Sequence, residues 1–172
     1  MPFLLMCKTS EQKIKYLDNL FKETYIKDIV NRNSIKNTEV LEDVLNIVSS
    51  SVGSLTNPNK LSNSFKSIKN LNVAPNTIKQ YLEYCVDSFL IQKANRYDVK
   101  GKKYIDTPLK YYFTDIGLRN VRLGFRQQEE SHIMENIIYN ELINRGYQVD
   151  VWMVSKNKKN EKHIWRYFDN FL

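Results

Sequence analysis

The sequence has few of the residues that build disulfide frameworks and phosphate-binding loops. Its 172 residues include two cysteines, four prolines and five glycines. Cys7 and Cys85 are far apart and form no CxxC pattern, so we expect two thiols in a reducing compartment and no disulfide framework. No glycine begins a GxxxxGK or GxGxxG pattern, which excludes phosphate-binding loops of those kinds. We therefore predict no cofactor for this chain.

Long apolar runs and metal-binding patterns are also absent. The N-terminal segment MPFLLMC has no basic leader and is much shorter than the roughly 20 apolar residues that cross a bilayer. The two histidines, His132 and His163, have no cysteine at zinc-ligand spacing, and no serine lies in a GxSxG turn. These absences predict a soluble, cytoplasmic protein with no membrane partner, no metal site of this kind and no hydrolase triad.

Acidic residues are missing from one long stretch of a basic chain, whose net charge is +7. There is no Asp or Glu between Val44 and Leu82. The lysines of this stretch are Lys60, Lys66, Lys69 and Lys79. Clustered lysines favour binding to a phosphate backbone, which predicts a nucleic-acid partner. The alternative explanation is compositional, because Lys, Asn, Ile and Tyr are abundant together and share A- and T-rich codons.

Helical spacing of apolar residues predicts four helices in the first half of the chain. Their predicted starting residues are Thr9, Thr38, Asn57 and Asn76. Gln12 completes a capping box with Thr9, and the first helix is expected to end near Asn31. Gly53 is placed to end the second helix.

After the fourth helix the spacing becomes that of strands. The segments FLIQKANRYD and KKYIDTPLKYYFTD predict a hairpin that turns at Val99-Lys100-Gly101. Three helices followed by a hairpin is the order of elements in a winged helix-turn-helix. We therefore predict an α+β fold with an N-terminal helix over residues 1–36, a winged helix-turn-helix over 37–115 and an αβ segment over 116–172.

The winged-helix interpretation assigns a nucleic-acid surface. The fourth helix becomes the recognition helix, and near its N-terminus it offers polar side chains able to reach base edges or phosphates. The predicted nucleic-acid-binding residues are Asn76, Thr77, Lys79 and Gln80 on this helix, Lys60, Lys66 and Lys69 before it, and Lys100, Lys102 and Lys103 in the wing. Glu83 and Asp87 would oppose phosphates further along the same helix. Protein–protein contact is the alternative, since winged helices also serve that purpose.

The last part of the chain reads as a strand-like YYFTDIGLRN, a helix HIMENIIYNELINRGY and a strand QVDVW. On a helical wheel the residues expected to face the core are Ile133, Met134, Ile137, Ile138 and Leu142. Glu141 lies within this arc, and its predicted partner is Arg145, four residues on. Glu135 has no basic residue at that spacing, which leaves it to coordinate a metal or to accept hydrogen bonds from a neighbouring strand.

A hydrolytic magnesium site requires at least two converging carboxylates. The acids after this helix are Asp150, Glu161 and Asp169, and the tail KNKKNEKHIWRYFDNFL has no clean alternation for a paired strand. We therefore predict no metal site and no catalysis by this chain alone, with Glu135 as the one catalytic candidate. The alternative is a metal-dependent nuclease that uses Glu135 and Asp150.

Several spaced motifs resemble a known family over about residues 1–152. They are a Met1-Pro2 entry, ETYIKDIVNR from Glu23, TIKQYLEY from Thr77, KYYFTDIGLRN from Lys110, and the block from His132 to Tyr147. Together they resemble the C-terminal region of unknown function that follows the ATPase domain in AAA-type ATP-binding proteins of bacteria and archaea. This resemblance implies an ATPase domain upstream, a winged helix in the middle and a restriction-endonuclease-like αβ domain at the end, with Glu135 at its helix carboxylate position.

The chain departs from this family pattern at both ends. It has no phosphate-binding loop, and no strand resembling Glu-Val-Asp-Phe follows the QVDVW strand. We therefore expect a non-catalytic C-terminal fragment that acts as a winged-helix module binding DNA, an ATPase domain or a homologous subunit. A shortened nuclease-like sheet would leave an apolar helix face exposed, which predicts association and, as a further alternative, a structural oligomerisation element.

Overall fold

A computed structural model of the chain describes residues 3–98, 103–126, 129–156 and 160–168. The helices are α1 (Phe3–Met6), α2 (Ser10–Asn19), a π-helical stretch (Leu20–Ile26), α3 (Lys27–Arg32), α4 (Thr38–Ser50), α5 (Pro58–Lys69), α6 (Pro75–Asp87), α7 (Ile116–Arg122) and α8 (Glu130–Asn144). The strands are β1 (Leu55–Thr56), β2 (Ile91–Asp98), β3 (Lys103–Phe113), β4 (Gln148–Lys156) and β5 (Asn160–Phe168). The predicted α+β class is confirmed.

The helix starts follow local capping chemistry, with small corrections. The capping box of Thr9 and Gln12 is present, and Asn57 caps α5 with Pro58 in the first turn. Helix α4 begins at Thr38, but the capping side chain is that of Asn37, which accepts a hydrogen bond from the Val40 amide. Asn is at least as good a cap as Thr because its side-chain oxygen also reaches the free amides of the first turn.

Two further helix boundaries differ from prediction because of proline and aspartate. Helix α6 begins at Pro75, one residue before Asn76, since proline suits the first turn of a helix. The segment YYFTDIGLRN is not one strand: β3 ends at Phe113, and Asp115 then caps α7 by accepting from the Leu118 amide. An aspartate cap begins a helix wherever the following residues can continue it.

The described strands form one mixed sheet in the order β1-β3-β2-β4-β5. Strand β3 is antiparallel to both β1 and β2, β4 runs parallel to β2, and β5 is antiparallel to β4. The expectation that the tail lacks a paired strand is wrong, because a backbone ladder forms without side-chain alternation. The sheet pairs β2 of the predicted segment 37–115 with β4 of the predicted segment 116–172. The predicted domain boundaries after residues 36 and 115 remain predictions.

The main core is formed by α4, α6 and the β2–β3 hairpin, with α6 packed against both α4 and β2. Fully buried members include Leu41, Leu45, Ile78, Leu82 and Ile91. Leu17, Phe21 and Ile29 add the N-terminal helices to this core. Neither cysteine is in a disulfide, as predicted. In the part of the chain that is described, every helix is too short or too polar to cross a membrane.

Helix α8 is oriented differently from the prediction. Met134, Ile137 and Ile138 are 61%, 52% and 55% exposed, whereas Asn136 and Tyr139 are buried. Three of the five residues expected to face the core therefore face outward, while Ile133 and Leu142 are half-buried and Leu142 packs against the core. The physical reason is that the inner side of α8 forms hydrogen bonds with β3. A helical wheel shows only where the apolar residues lie and cannot show these hydrogen bonds.

Candidate functional site

Most of the predicted nucleic-acid-binding residues lie on one pair of helices. Lys60 and Lys66 are exposed on α5, and Asn76, Lys79 and Gln80 are exposed in the first turns of α6. We call these five residues the α5–α6 surface. The short turn at residues 70–74 places the two helices next to each other.

The remaining predicted residues are placed differently. Thr77 is half-buried, and the Lys69 ammonium is paired with the Asp43 carboxylate at 2.5 Å. Lys103 is the first residue of β3, while Lys100 and Lys102 lie outside the described residues. The ion pair makes Lys69 less available to a phosphate than its neighbours on α5.

A groove runs between α6 and the β2–β3 hairpin beside this surface. Its two adjoining cavities, of about 290 and 240 Å³, share four lining residues: Lys79, Glu83, Asp106 and Leu109. Glu83, which the sequence suggested would repel phosphates, forms an ion pair with Lys93 of β2 at 2.8 Å. The sequence did not indicate Lys93 as the partner of Glu83, because Lys93 is ten residues away and lies on a different element. The contact offsets the negative charge of Glu83 next to the α5–α6 surface.

Glu135 is held by two residues of the neighbouring strand. Lys110 Nζ lies 2.8 Å from Glu135 Oε1, and the Tyr112 hydroxyl donates to the same oxygen at 2.7 Å. Lys110 and Tyr112 are two apart on β3, so their side chains lie on the same face of the sheet. Of the two roles that the sequence left open for Glu135, the geometry favours accepting hydrogen bonds from a strand.

Two buried tyrosines next to Glu135, Tyr112 and Tyr139, are kept neutral. The Tyr112 ring stacks on Tyr139 with 4.2 Å between ring centroids, and both rings are buried. Burial, with Glu135 nearby, raises the pKa of Tyr112 strongly, and burial raises the pKa of Tyr139 to about 12. Tyr112 therefore acts as a hydrogen-bond donor to Glu135 at neutral pH.

The second carboxylate of the nuclease alternative has its own partner. Asp150 of β4 is buried and accepts a hydrogen bond of 2.9 Å from the Tyr104 hydroxyl. Among the described residues, no three His, Cys, Asp or Glu side chains come together as metal ligands. A metal ion at Glu135 would also have to compete with the ammonium of Lys110.

The predicted pairing of Glu141 with Arg145 is confirmed, but its predicted location is wrong. The Arg145 Nε lies 2.7 Å from Glu141 Oε1, and the two side chains are 66% and 58% exposed. The pair is therefore a surface pair on the outer side of α8, not a core pair. Surface pairs of this kind contribute little to stability.

Two buried polar residues that the sequence did not single out hold the elements around Glu135. The Asn136 side chain accepts from the Phe113 amide and donates to the Phe113 carbonyl, both at 2.8 Å. Arg119 of α7 is fully buried and donates from Nε to the Ser49 carbonyl at 2.9 Å. Both lie in motifs that carry the family resemblance, and their contacts join α8 to β3 and α7 to α4.

Comparison with known families gives one match that covers most of the chain. Residues 1–129 match the family described as Domain of unknown function (DUF8612). The chain belongs to this family. The matched residues extend from the N-terminal helices through β3 and α7 and end just before α8.

Two curated relatives are described as uncharacterized proteins. An uncharacterized protein of Haemophilus influenzae is 37% identical over 135 residues, which are 78% of this chain and 34% of that protein. An uncharacterized protein of Methanocaldococcus jannaschii is 30% identical over an alignment of 159 residues that covers 84% of this chain and 34% of that protein. The chain thus spans about a third of the length of these relatives. No solved structure matches it.

Proposed function

We propose that this DUF8612 chain is a winged-helix interaction module that binds duplex DNA through the α5–α6 surface. The observation that carries the proposal is the order of elements: α4, β1, α5 and α6 precede the β2–β3 hairpin, and β1 pairs with β3. Two helices joined by a short turn and followed by a hairpin are typical of winged helices that place the second helix in the major groove.

The charge distribution supports DNA as the partner. No acidic residue occurs from Val44 to Leu82, and Lys60, Lys66 and Lys79 are exposed within this stretch. Exposed lysines release counterions when they approach phosphates, so they supply affinity that does not depend on sequence. The amides of Asn76 and Gln80 on α6 could add contacts to base edges.

The acidic end of α6 limits how the helix would sit on DNA. Glu83 is paired with Lys93, but Asp87 is exposed in the last turn of α6. Recognition helices commonly contact bases through their N-terminal residues, which are the neutral and basic residues here. The proposed contact therefore involves the first two turns of α6 and is shallow, and we expect weak binding.

Fluorescence anisotropy with a labelled DNA duplex tests the proposal. We expect binding that falls steeply between roughly 50 and 200 mM salt, because the lysines of α5 and α6 neutralise phosphates. Lys79→Ala should weaken binding and reduce the slope of log affinity against log salt by about one. Lys15→Ala, which removes an exposed lysine from α2, is the matched control and should leave the slope unchanged.

Two results would reject DNA binding by this surface. The first is the absence of any affinity at low salt. The second is an affinity that Lys60→Ala and Lys79→Ala reduce no more than Lys15→Ala does. Either result would favour a protein partner for the winged helix, which is the other use of such modules.

The role in a longer protein is a separate part of the proposal. The curated relatives are about three times as long as their aligned stretches, and the motifs resemble the C-terminal region of AAA-type ATP-binding proteins. We propose that the module supplies DNA or partner binding to such a protein and takes no part in ATP hydrolysis. The DNA flanking the reading frame tests this, since a nearby GxxxxGK-coding stretch is expected and its absence would contradict the proposal.

A further inference from the structure

The outer side of α8 carries an exposed apolar patch. Met134, Ile137 and Ile138 are each more than half exposed on this helix. The opposite side of α8 is already used, because Asn136 and Tyr139 pack against β3. Three large apolar side chains that are exposed together on one helix are typical of a surface that another molecule covers.

Charged residues extend the same stripe at both ends of the helix. Glu130, Met134, Ile137, Ile138, Glu141 and Arg145 recur at helical spacing and share one side of α8. We call this stripe the outer face of α8. Its N-terminal end is acidic because of Glu130, whereas its C-terminal end carries the Glu141–Arg145 ion pair, so the two ends differ in charge.

We propose that the outer face of α8 binds the same face of a second copy of this chain, with the two helices antiparallel. A two-fold axis between Ile137 and Ile138 places these residues at the centre of the contact. Glu130 of each copy then lies opposite Arg145 of the other, because both are equally far from the axis. Arg145 contacts Glu141 of its own helix through Nε, which leaves its other guanidinium donors for Glu130 of the second copy. A parallel arrangement would place Glu130 against Glu130, so charge complementarity selects the antiparallel pair.

A cavity next to the patch fits this arrangement. It has a volume of about 350 Å³ and is lined by Ile137, Ile138, Leu142, Tyr147 and the Glu141–Arg145 pair. In the antiparallel dimer, Met134 of the second copy lies across from Glu141 and next to this cavity. Methionine adapts well to irregular gaps of this kind because its side chain is unbranched and flexible.

The contact is short, which predicts a weak dimer. Helix α8 has 15 residues. Its length is therefore about 22 Å at 1.5 Å per residue. An interface built mainly on one short helix pair is smaller than that of a stable complex, so the monomer and dimer should exchange with concentration.

Analytical ultracentrifugation of the 172-residue chain over a range of concentrations tests the dimer. We expect a dimer that Ile137→Asp abolishes and that Ile68→Asp leaves intact. Ile68 is an exposed isoleucine on α5, so the control adds the same charge to a comparable surface elsewhere. Circular dichroism checks that both variants are folded, as expected for exposed positions.

A charge exchange tests the antiparallel geometry. Glu130→Arg should weaken the dimer about tenfold, since it opposes Arg145 of the second copy. The triple variant Glu130→Arg/Glu141→Arg/Arg145→Glu exchanges the charges and keeps an opposite charge four residues before position 145, so it should restore most of the lost affinity. As an independent measurement, Ile138→Cys in a Cys7→Ser background should give a disulfide-linked dimer on oxidation, because residue 138 lies near the axis.

Four results would overturn the proposal. They are a monomer at all concentrations, a dimer that survives Ile137→Asp, no restoration by the charge exchange, and no crosslink at position 138. A monomer would mean that this face is covered by something other than a second copy.

Discussion

Lys110 of β3 and Glu135 of α8 form a largely buried ion pair with 2.8 Å between Nζ and Oε1. Their side chains are only 9% and 20% exposed. The Tyr112 hydroxyl donates to the same carboxylate oxygen, and its high pKa keeps it protonated. The pair joins helix α8 to strand β3, which is also one of the two strands of the hairpin in the proposed winged helix.

We predict that breaking this pair destabilises the fold strongly. Glu135→Ala should lower the free energy of unfolding by about 3 kcal/mol, because it leaves the Lys110 ammonium buried without its carboxylate. The matched control is Glu141→Ala, which breaks the exposed pair on the same helix and should lower the free energy of unfolding far less. Urea unfolding measures both.

A double variant separates the pair from other effects of the substitution. Glu135→Ala together with Lys110→Met removes both charges, so its loss of stability should be smaller than the sum of the single losses. Additive losses, or a Glu135→Ala loss no larger than that of Glu141→Ala, would show that the ion pair does not stabilise this region.

The glycine beneath Glu135 gives a second prediction. Gly53 has a φ of +72°, and an added Cβ would lie 3.1 Å from Glu135 Oε1. The carboxylate cannot easily move away, because Lys110 and Tyr112 hold it. Gly53→Ala should therefore cost more than the about 1 kcal/mol that a left-handed conformation alone costs.

Gly146→Ala is the control for the cost of placing a side chain in the left-handed backbone conformation. Gly146 has a φ of +85°, and an added Cβ would meet no atom within 4 Å. Gly146→Ala should therefore show the conformational cost without the contact. If thermal unfolding shows equal losses for the two variants, the close approach to Glu135 has no energetic effect.

The Asn136 side chain is expected to stabilise the end of β3. It is fully buried and bonds both the amide and the carbonyl of Phe113. Asn136→Ala leaves the Phe113 amide without its side-chain partner, while the Phe113 carbonyl keeps a hydrogen bond from Asn140, so we expect a loss of about 2 kcal/mol in chemical denaturation. Asn144→Ala, at an exposed position of the same helix, should change stability by less than about 0.5 kcal/mol. Similar losses for both variants would argue against this role.

Alkaline pH should destabilise the protein through its buried acids. Burial raises the pKa of Cys85 from its ordinary value of 9.0 to about 12, and that of Tyr139 from 10.0 to about 12. Both groups ionise more readily in the unfolded chain, so stability is fully present below pH 9 and falls as the pH rises toward 12.

Unfolding measured at increasing pH tests this expectation. Cys85→Ala should flatten the dependence above pH 9, because it removes one of the shifted groups. In the native protein a thiol reagent should modify the half-buried Cys7 and leave Cys85 unmodified until the chain unfolds. Equal labelling rates, or stability that is constant up to pH 12, would contradict the assignment.

Local signals in the sequence predicted the helices of the first half well. The capping box at Thr9, the Asn57–Pro58 start of α5 and the apolar spacing of α4 and α6 all depend on residues within one or two turns. The hairpin of β2 and β3 was also predicted, because its strands are close in the chain. The cap of α4 is Asn37 instead of its neighbour Thr38, and α6 begins one residue early because Pro75 suits the first turn of a helix.

The orientation of α8 and the partners of Glu135 could not be predicted in this way. The wheel placed Ile137 and Ile138 in the core, because it counts apolar residues and cannot count hydrogen bonds to another element. Lys110 is 25 positions from Glu135 and lies on a strand, so spacing within the helix could not reveal it. The only indication in the sequence was that Lys110 lies two residues before Tyr112 on a predicted strand, which places both side chains on one face of that strand.

By itself the sequence determined the class of the fold, the helix caps and the acid-free basic stretch, since each depends on composition or on neighbours in the chain. The tertiary structure decided which side of α8 is buried, that Lys93 offsets Glu83, and that β5 pairs with β4. The physical reason is that burial, charge compensation and strand pairing are properties of residues distant in the chain, which only packing brings together.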